Sequence, residues 1–356
     1  MSKNLELEQS LIKAFQGMKL LEATSSFHLS VIKNGKWIAD FSMGKEFQFF
    51  DIASLTKIVF TTSVLMEAYE QGLYQMDDPL QKYLSEFSDK KISVANLLTH
   101  SAGHRWWSDF YNELDPQAQR KNIDFREQWT KLRDILSSES REKPVSNFVY
   151  SDIDFFFLGL LLQEIYGKDL LQIFEDFKKS WGFENLFFNV NNETNLNKSL
   201  FAPTERSEYL GRMIQAEVHD ENCHALGGVS SHAGLFSDAK SLQLWLTEIR
   251  KAFLGESKRI TAETMQLFGR RQTDEKFGDW GYGFMKPSAG KASCGKYFSE
   301  QSFGHTGFTG TSIWFDPLQD LGVIILSNRV HPTRENKAFV GLRSLIHNKI
   351  VECLSE

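Results

Sequence analysis

Ser54 and Lys57 have the types and spacing for nucleophilic chemistry, because a serine three residues before a lysine shares one face of a helix with it. A lysine in that position can influence a serine nucleophile. The same spacing recurs elsewhere, for example at Ser10 and Ser237, so spacing alone is weak evidence. Ser54 stands out because it follows the β-like run 49–52 and opens a long apolar-periodic helix. Free N–H groups at such a helix start could stabilise an oxyanion, although the alternative is that Ser54 simply caps the helix.

Tyr150 and Asp152 precede the almost wholly apolar segment 153–162, which predicts a buried helix. A phenol beside a lysine ammonium is favoured as phenolate, because the opposite charge lowers its pKa. Bringing that pKa from about 10 to near 7 requires about 4 kcal/mol. The sequence therefore predicts a lowered pKa for Tyr150, and the alternative is a buried tyrosine with one hydrogen bond.

His305 lies in the glycine-containing segment 303–310. Glycines within a strand often mark the close approach of another backbone or a ligand. We expect this strand to lie beside the acylated serine and to offer one N–H to the substrate carbonyl. The alternative is a glycine-rich hairpin strand with an exposed histidine.

Three motifs resemble, in chain order, those of the serine β-lactamase and penicillin-binding-protein superfamily. The chain is most similar to the branch of class C β-lactamases and D-alanyl-D-alanine carboxypeptidases, with its related esterases and D-amino-acid peptidases. The resemblance runs from about residue 27 to residue 329, with supporting segments at 97–103 and 227–237. The motifs are Ser54-x-x-Lys57, Tyr150-x-Asp152 and His305-Thr306-Gly307.

The resemblance implies a β-lactamase/transpeptidase-like fold and a role for each motif residue. Ser54 would be the nucleophile, and Lys57 and Tyr150 would share the proton transfer. The backbone N–H groups of Ser54 and Phe308 would form the oxyanion hole.

The remaining motif residues would bind substrate. Asp152 would hydrogen-bond the substrate amide and Lys57, and His305 would face a substrate carboxylate or tune Tyr150, with Thr306 and Gly307 beside it. Two residues depart from the family pattern. Asp152 stands where asparagine is usual, and His305 stands where β-lactamases usually have lysine. Both departures weaken the case for efficient antibiotic hydrolysis.

Other acidic and histidine residues invite a metal interpretation, but they lack the H-E-x-x-H spacing or an equivalent. We therefore expect neither a metal nor a cofactor, and interpret this stretch as a loop that borders the cleft. The residues concerned are His219, Asp220, Glu221 and His232. Trp106, Trp107 and Tyr111 could line a substrate pocket or anchor a long loop, and the sequence leaves both interpretations open.

Patterns at the two chain ends predict strands. Residues 27–43 alternate around Asn34-Gly35, a strong hairpin signal, and 303–315 and 322–328 have the pattern of two further strands. Helical periodicity marks 54–72, 239–254 and 335–354, and polar loops are expected at 108–126 and 137–144.

This order of elements predicts an α+β fold, with one antiparallel sheet built from both chain ends, flanked by helices, and a mostly helical second lobe. The sheet lobe would comprise 1–75 and 275–356 and the helical lobe 76–274, with the active site between them.

Composition narrows the classes of partner. The 356 residues carry 40 basic and 46 acidic side chains, a net charge of −6, which argues against a nucleic-acid binder. Three cysteines without C-x-x-C spacing suit a reducing compartment. The longest apolar stretch is too short to cross a membrane, and the N-terminal segment lacks a signal-peptide pattern, so we expect a cytoplasmic protein with no membrane partner. Oligomeric state is left open.

Together these observations predict a serine hydrolase that works through an acyl-enzyme on a small molecule or short peptide. The substrate would be a D-amino-acid peptide, a β-lactam-like amide or a related ester. One alternative is a carboxylesterase of the same fold. Another is a non-catalytic binding or sensor protein, against which the intact Ser54, Lys57 and Tyr150 speak.

Overall fold

A central antiparallel sheet organises the protein, whose computed structural model describes residues 3–87, 91–115, 123–138, 141–275 and 278–355. The strands are β1 (Ser26–Lys33), β2 (Lys36–Gly44), β3 (Phe50–Asp51), β4 (Leu186–Phe188), β5 (Arg206–Ser207), β6 (Arg212–Met213), β7 (Leu235–Ser237), β8 (Phe303–Thr306), β9 (Ser312–Asp316) and β10 (Leu321–Ser327).

Helices cover both faces of this sheet and form most of the middle of the chain. They are α1 (Lys3–Gly17), α2 (Leu20–Ala23), α3 (Ser63–Glu70), α4 (Val94–Leu98), α5 (Tyr111–Leu114), α6 (Phe125–Ser138), α7 (Asp152–Tyr166), α8 (Leu170–Trp181), α9 (Glu221–Ala225), α10 (Ala239–Leu254), α11 (Ala262–Gly269) and α12 (Ala338–Ser355). A wider π-helical segment, Lys57–Thr62, runs directly into α3, and short 3₁₀ turns occur at Leu80–Lys82, Val190–Asn192 and Lys198–Leu200.

The central sheet joins the two chain ends, as expected from the sequence. Its strand order is β2-β1-β10-β9-β8, with every neighbouring pair antiparallel. Leu29 of β1 lies opposite Ile325 of β10, and both side chains are buried. The hairpin between β1 and β2 turns at Asn34 and Gly35, whose φ angles of 50° and 73° are those of a two-residue hairpin turn. The predicted hairpin and the predicted sheet are confirmed.

The single strand predicted over 303–315 is wrong, because the structure divides it into β8 and β9 around a turn at 307–311. The turn is closed by the Gly307 N–H, which donates to the Thr311 carbonyl at 2.7 Å. Gly310 has a φ of 115°, and a Cβ there would lie 2.0 Å from the Ser327 hydroxyl oxygen. Only glycine suits that conformation and that space, so the chain reverses where an alternating pattern suggested continuity.

Helix α7 is the buried helix that the apolar segment predicted. It begins after Ser151, whose hydroxyl accepts the Asp154 N–H, and eleven of its residues from Asp152 to Leu162 are buried. Gly159 allows the loop before β7 to approach, since a Cβ there would lie 2.5 Å from the Ser231 hydroxyl oxygen. The helix therefore positions both its own first turn and the neighbouring loop.

Two apolar layers sandwich the central sheet. One layer of side chains, including Ile32 and Ile324, packs with α3, α7 and α10. The other layer, including Leu29 and Ile325, packs with α1 and α12.

The lobe boundaries at 75 and 275 stay a prediction. The polar loops expected at 108–126 and 137–144 lie partly outside the described residues. Within the described ranges, no helix combines the length and the apolar character of a membrane span.

Candidate active site

Ser54 lies at a sharp turn between β3 and the helical segment that continues into α3. The preceding residue, Ala53, adopts the left-handed conformation with a φ of 48°. Its N–H donates to the carboxylate of the buried Asp51 at 2.8 Å. Since a non-glycine residue at positive φ is disfavoured, these contacts hold the turn that aims the Ser54 hydroxyl away from the strand.

Two side chains, one near in sequence and one distant, meet at the Ser54 hydroxyl oxygen. Lys57 Nζ donates to Ser54 Oγ at 3.2 Å, and the Tyr150 hydroxyl donates to the same oxygen at 2.9 Å. Tyr150 is 96 residues from Ser54 in sequence, and the loop before α7 brings it there. The structure thus brings together the serine, lysine and tyrosine that the motifs predicted.

Lys57 is fully buried, and all three of its N–H donors have acceptors. Besides Ser54 Oγ, the acceptors are Asp152 Oδ1 at 2.6 Å and the His232 carbonyl at 3.0 Å. Burial lowers the pKa of Lys57, but the Asp152 carboxylate, followed by Tyr150, outweighs burial, so the pKa stands above its usual value. Lys57 is therefore an ammonium in the resting site.

The lowered pKa expected for Tyr150 is wrong. Burial, and then the charge of Asp152, raise the pKa of Tyr150 to about 12, even though Lys57 opposes the shift. The expectation considered Lys57 alone, whereas the ammonium is paired with a carboxylate and offers little net positive charge. Tyr150 is therefore a phenol at neutral pH.

Aromatic rings surround Tyr150 and fix its orientation. The Trp280 ring stacks on it at 5.8 Å and 17°, and His100 and His305 have ring centroids 4.9 and 5.8 Å away. His100 is held by Asp154, in the first turn of α7, with Nδ1 3.1 Å from the carboxylate. Sequence reasoning did not assign Trp280 or Asp154 to the site. No local motif marks Trp280, and His100 was visible only as part of the family-like segment 97–103.

His305 does not offer the positive charge that binding of a carboxylate would need. It is 1% exposed, and its Nδ1 is 2.8 Å from the Thr306 carbonyl, which fixes the proton on Nδ1. Burial, and then Lys57, lower the pKa of His305 to about 3. The imidazole is neutral at physiological pH, so of its two expected roles the geometry supports contact with Tyr150. Thr306 ends β8 beside it, and Gly307 opens the turn.

The backbone amides of Ser54 and Phe308 are the candidates for an oxyanion hole. Within the described ranges, neither the Ser54 N–H nor the Phe308 N–H forms a hydrogen bond. The turn that carries Phe308 is tied to the segment before Ser54, because the Thr309 hydroxyl donates to the Asp51 carbonyl at 2.8 Å and the Thr311 hydroxyl to the Ile52 carbonyl at 3.1 Å. The two free donors are thus held in a common frame, as an oxyanion hole requires.

The residues considered for a metal site separate into different contacts. His232 Nε2 lies 2.9 Å from Asp220 Oδ1, and with Asp152 these two have potential ligand atoms within 4.8 Å of one another. Asp152 is already paired with Lys57 there. His219 instead lies 3.0 Å from Glu205, and Glu221 lies 2.5 Å from Arg334.

Trp106 stands at the rim of the cleft and is 61% exposed. Its carbonyl accepts the Asp152 N–H at 3.0 Å, which ties the Trp106 backbone to the second motif. The Trp107 ring lies between two others, with its centroid 5.8 Å from that of Trp106 and 6.1 Å from that of Tyr111. The Tyr111 N–H donates to the Asn222 side-chain oxygen at 2.9 Å. Tyr111 thus anchors the loop, and a role of Trp106 in a substrate pocket stays a prediction.

The sequence is similar to a known family and to named relatives. A family model described as Beta-lactamase matches residues 18–343. The "Putative D-alanyl-D-alanine carboxypeptidase" of Escherichia coli O157:H7 is 28% identical over 318 residues, which cover 79% of this chain and 69% of the relative. The protein of the same name from Salmonella agona is 27% identical over 313 residues, with the same coverage of 79% and 69%.

Solved structures share the fold. EstCE1, a hydrolase with promiscuous acyltransferase activity, superposes with a TM-score of 0.69 at 18% identity, covering 96% of this chain and 99% of EstCE1. The octameric penicillin-binding protein homologue from Pyrococcus abyssi gives a TM-score of 0.67 at 20% identity, covering 94% of this chain and 76% of the homologue. The β-lactamase/transpeptidase-like fold expected from the motifs is confirmed.

Proposed function

Because the chain belongs to the beta-lactamase family of serine hydrolases, we propose that it forms an acyl-enzyme at Ser54. The proposed substrate is a D-amino-acid peptide, a β-lactam-like amide or a related ester. The observation that carries the proposal is the convergence of Lys57 and Tyr150 on Ser54 Oγ, at 3.2 and 2.9 Å. A hydroxyl that accepts two hydrogen bonds beside two free amide donors is arranged for attack on a carbonyl carbon.

The protonation states imply how Ser54 is activated. Lys57 and Tyr150 both carry protons in the resting site, so neither can take the Ser54 proton until the pair loses one. Once one proton has left, the pair accepts the Ser54 proton as the oxygen attacks, and then returns a proton to the leaving group. Water repeats the sequence on the acyl-enzyme and releases the acid.

The amides of Ser54 and Phe308 would stabilise the negative oxygen of both tetrahedral intermediates. Asp152 would hold Lys57 and accept a hydrogen bond from the substrate amide. The names of the relatives support D-alanyl-D-alanine peptides as one proposed substrate class.

A carboxylesterase is the second candidate, and the charges at the third motif favour it. A D-Ala-D-Ala peptide ends in a carboxylate, but the neutral His305 offers it no positive charge. A neutral ester needs no such charge. The ratio of the two activities separates the candidates.

The test is covalent labelling of Ser54 followed by turnover. The purified protein is incubated with a fluorescent penicillin and, separately, with an alkyl fluorophosphonate, and the adduct is located by peptide mass spectrometry. We expect one adduct on Ser54, which is lost in Ser54→Ala and retained in Ser10→Ala, a control with the same S-x-x-K spacing. Hydrolysis of every substrate by Ser54→Ala at the wild-type rate would refute the assignment of the nucleophile.

Turnover of a D-Ala-D-Ala peptide and of p-nitrophenyl acetate then ranks the two candidate activities. If neither reagent labels the protein and it turns over neither substrate, it would instead be a non-catalytic member of the family. A cytoplasmic location stays a prediction, which fractionation of the native cells tests.

A further inference from the structure

Arg343 is a buried arginine that lies beneath the turn joining β8 and β9. It stands on α12, is 7% exposed, and donates from Nη2 to the Gly307 carbonyl at 2.6 Å and to the Thr311 carbonyl at 3.3 Å. In the part of the chain that the structure describes, no carboxylate forms an ion pair with it. Arg329, a second cation, acts on it and opposes its charge.

A buried cation without a carboxylate partner costs free energy, so its position calls for an explanation. Arg343 stays protonated, because burial and then Arg329 lower its pKa only to about 9. Its Nε has no hydrogen-bond partner among the described residues, so the hydrogen bonds of the guanidinium to the turn are made through Nη2.

The Gly307 carbonyl and the Phe308 N–H belong to one peptide group. A cation that donates a hydrogen bond to the carbonyl oxygen draws electron density across the amide and makes the N–H at its other end a stronger donor. The Phe308 N–H is one of the two free amides of the proposed oxyanion hole.

We propose that Arg343 is a positioning residue for catalysis, which polarises the Gly307–Phe308 peptide group and strengthens the Phe308 N–H as a donor to the oxyanion. This inference rests on the proposed function, because it assigns a role in the same acyl transfer. Arg343 would stabilise the transition state more than the bound substrate, because the negative charge on the carbonyl oxygen develops during the reaction.

The test compares Arg343→Lys, Arg343→Gln and Arg343→Met with the wild type. We expect kcat to fall in that order, by about 10-fold in Arg343→Met, with KM little changed, because the loss is smaller than the 10² to 10³ that follows removal of an oxyanion donor itself. Arg343→Lys should recover part of kcat, since it restores a charged donor. Arg250→Met is the control, because Arg250 is also partly buried but pairs with Asp320 at the other end of the sheet.

The infrared carbonyl stretch of the acyl-enzyme is the second readout. A weaker oxyanion hole raises that frequency, so Arg343→Gln and Arg343→Met should raise it while Arg250→Met leaves it unchanged. The Arg343 variants could lose thermal stability while the carbonyl stretching frequency of the acyl-enzyme and kcat both stay at the wild-type values. In that case Arg343 is only structural and the inference is wrong. If no acyl-enzyme forms on Ser54 in the wild type, the proposed function itself is wrong.

Discussion

At the scale of single residues, Asp152 changes the chemistry of the site most. It binds Lys57 at 2.6 Å and contributes to the raised pKa of both Lys57 and Tyr150. Both residues of the proposed proton-transfer pair are therefore protonated at neutral pH, and their titration is coupled. The apparent pKa that governs activity belongs to the pair and to Asp152 together.

Lys57→Ala and Tyr150→Phe should each lower kcat/KM by about 10² or more, the usual loss when general-base assistance is removed. The double variant should lose little beyond the larger single effect, because the two residues handle one proton. Steady-state rates of the four proteins on one substrate measure this coupling. Fully additive losses would show that the two residues act independently.

Asp152→Asn should shift the rise of kcat/KM to lower pH. Activity requires the Lys57 and Tyr150 pair to lose one proton, so it increases with pH through the apparent pKa of the pair. Asp152 raises both pKa values, and removing its charge lowers them, so the active form appears at lower pH. The pH–rate profiles of the two proteins on a neutral ester measure the shift, and an unmoved or opposite shift contradicts the assignment.

His305 should not titrate in the working range. With a pKa near 3, it is neutral between about pH 5 and 8, where an ordinary histidine loses its charge. The ratio of kcat/KM for a carboxylate-bearing peptide to that for a neutral ester should therefore stay constant over this range. A ratio that falls around pH 6.5 would show that His305 is protonated when the peptide binds.

At the scale of elements, the close approach of α7 to the loop before β7 holds the acceptors of Lys57. Gly159 of α7 faces Ser231, and the next residue, His232, offers its carbonyl to Lys57. Ser231 also donates to the Phe155 carbonyl at 2.6 Å, which fixes the loop to the helix. Helix packing and the hydrogen bonding of Lys57 are thus linked through one loop.

Gly159→Ala should destabilise the protein by about 1 to 3 kcal/mol, the usual cost of overpacking, and should lower kcat as well. Its Cβ would lie 2.5 Å from Ser231 Oγ and 2.8 Å from the Trp129 ring, so the loop must move. Gly341→Ala is the control, because it also replaces a glycine inside a helix, α12. A Cβ at that position meets nothing within 4 Å. Urea unfolding and kcat of the two variants test this, and equal stability of both would refute the close-packing argument.

At the scale of the whole molecule, the apolar layer under the central sheet joins the first and last helices of the described chain. Phe15 of α1 is fully buried and packs edge-on against Phe27 of β1 at 5.7 Å. α12 lies in the same layer and carries Arg343 toward the site. The two chain ends therefore stabilise the frame on which the site is built.

Phe15→Ala should lower the free energy of unfolding by about 3 to 5 kcal/mol, the range for removing a buried phenylalanine. Its kcat per folded molecule should stay at the wild-type value, because Phe15 lies on the sheet face away from Ser54. Leu5→Ala is the matched control on the same helix, since Leu5 is 42% exposed. Denaturant unfolding together with active-site titration separates stability from activity, and a variant as stable as the wild type would contradict the burial argument.

The sequence by itself determined the features that depend on local order. The Asn34-Gly35 hairpin, the buried helix after Tyr150 and the strands at both chain ends follow from short-range pattern and turn chemistry, and the motif order indicated the family. It also supplied the residues that meet at the site, since Ser54, Lys57, Tyr150 and Asp152 all lie together in the structure.

Only the tertiary structure decided the charges. A pKa depends on burial and on every nearby charge, and these come from segments far apart in sequence. Tyr150, expected to be a phenolate, is therefore a phenol, because burial and the charge of Asp152 outweigh the effect of Lys57 on its pKa. His305 is neutral because it is buried. The contact of Arg343 with the Gly307 carbonyl spans 36 residues between a helix and a turn, and no local pattern encodes it.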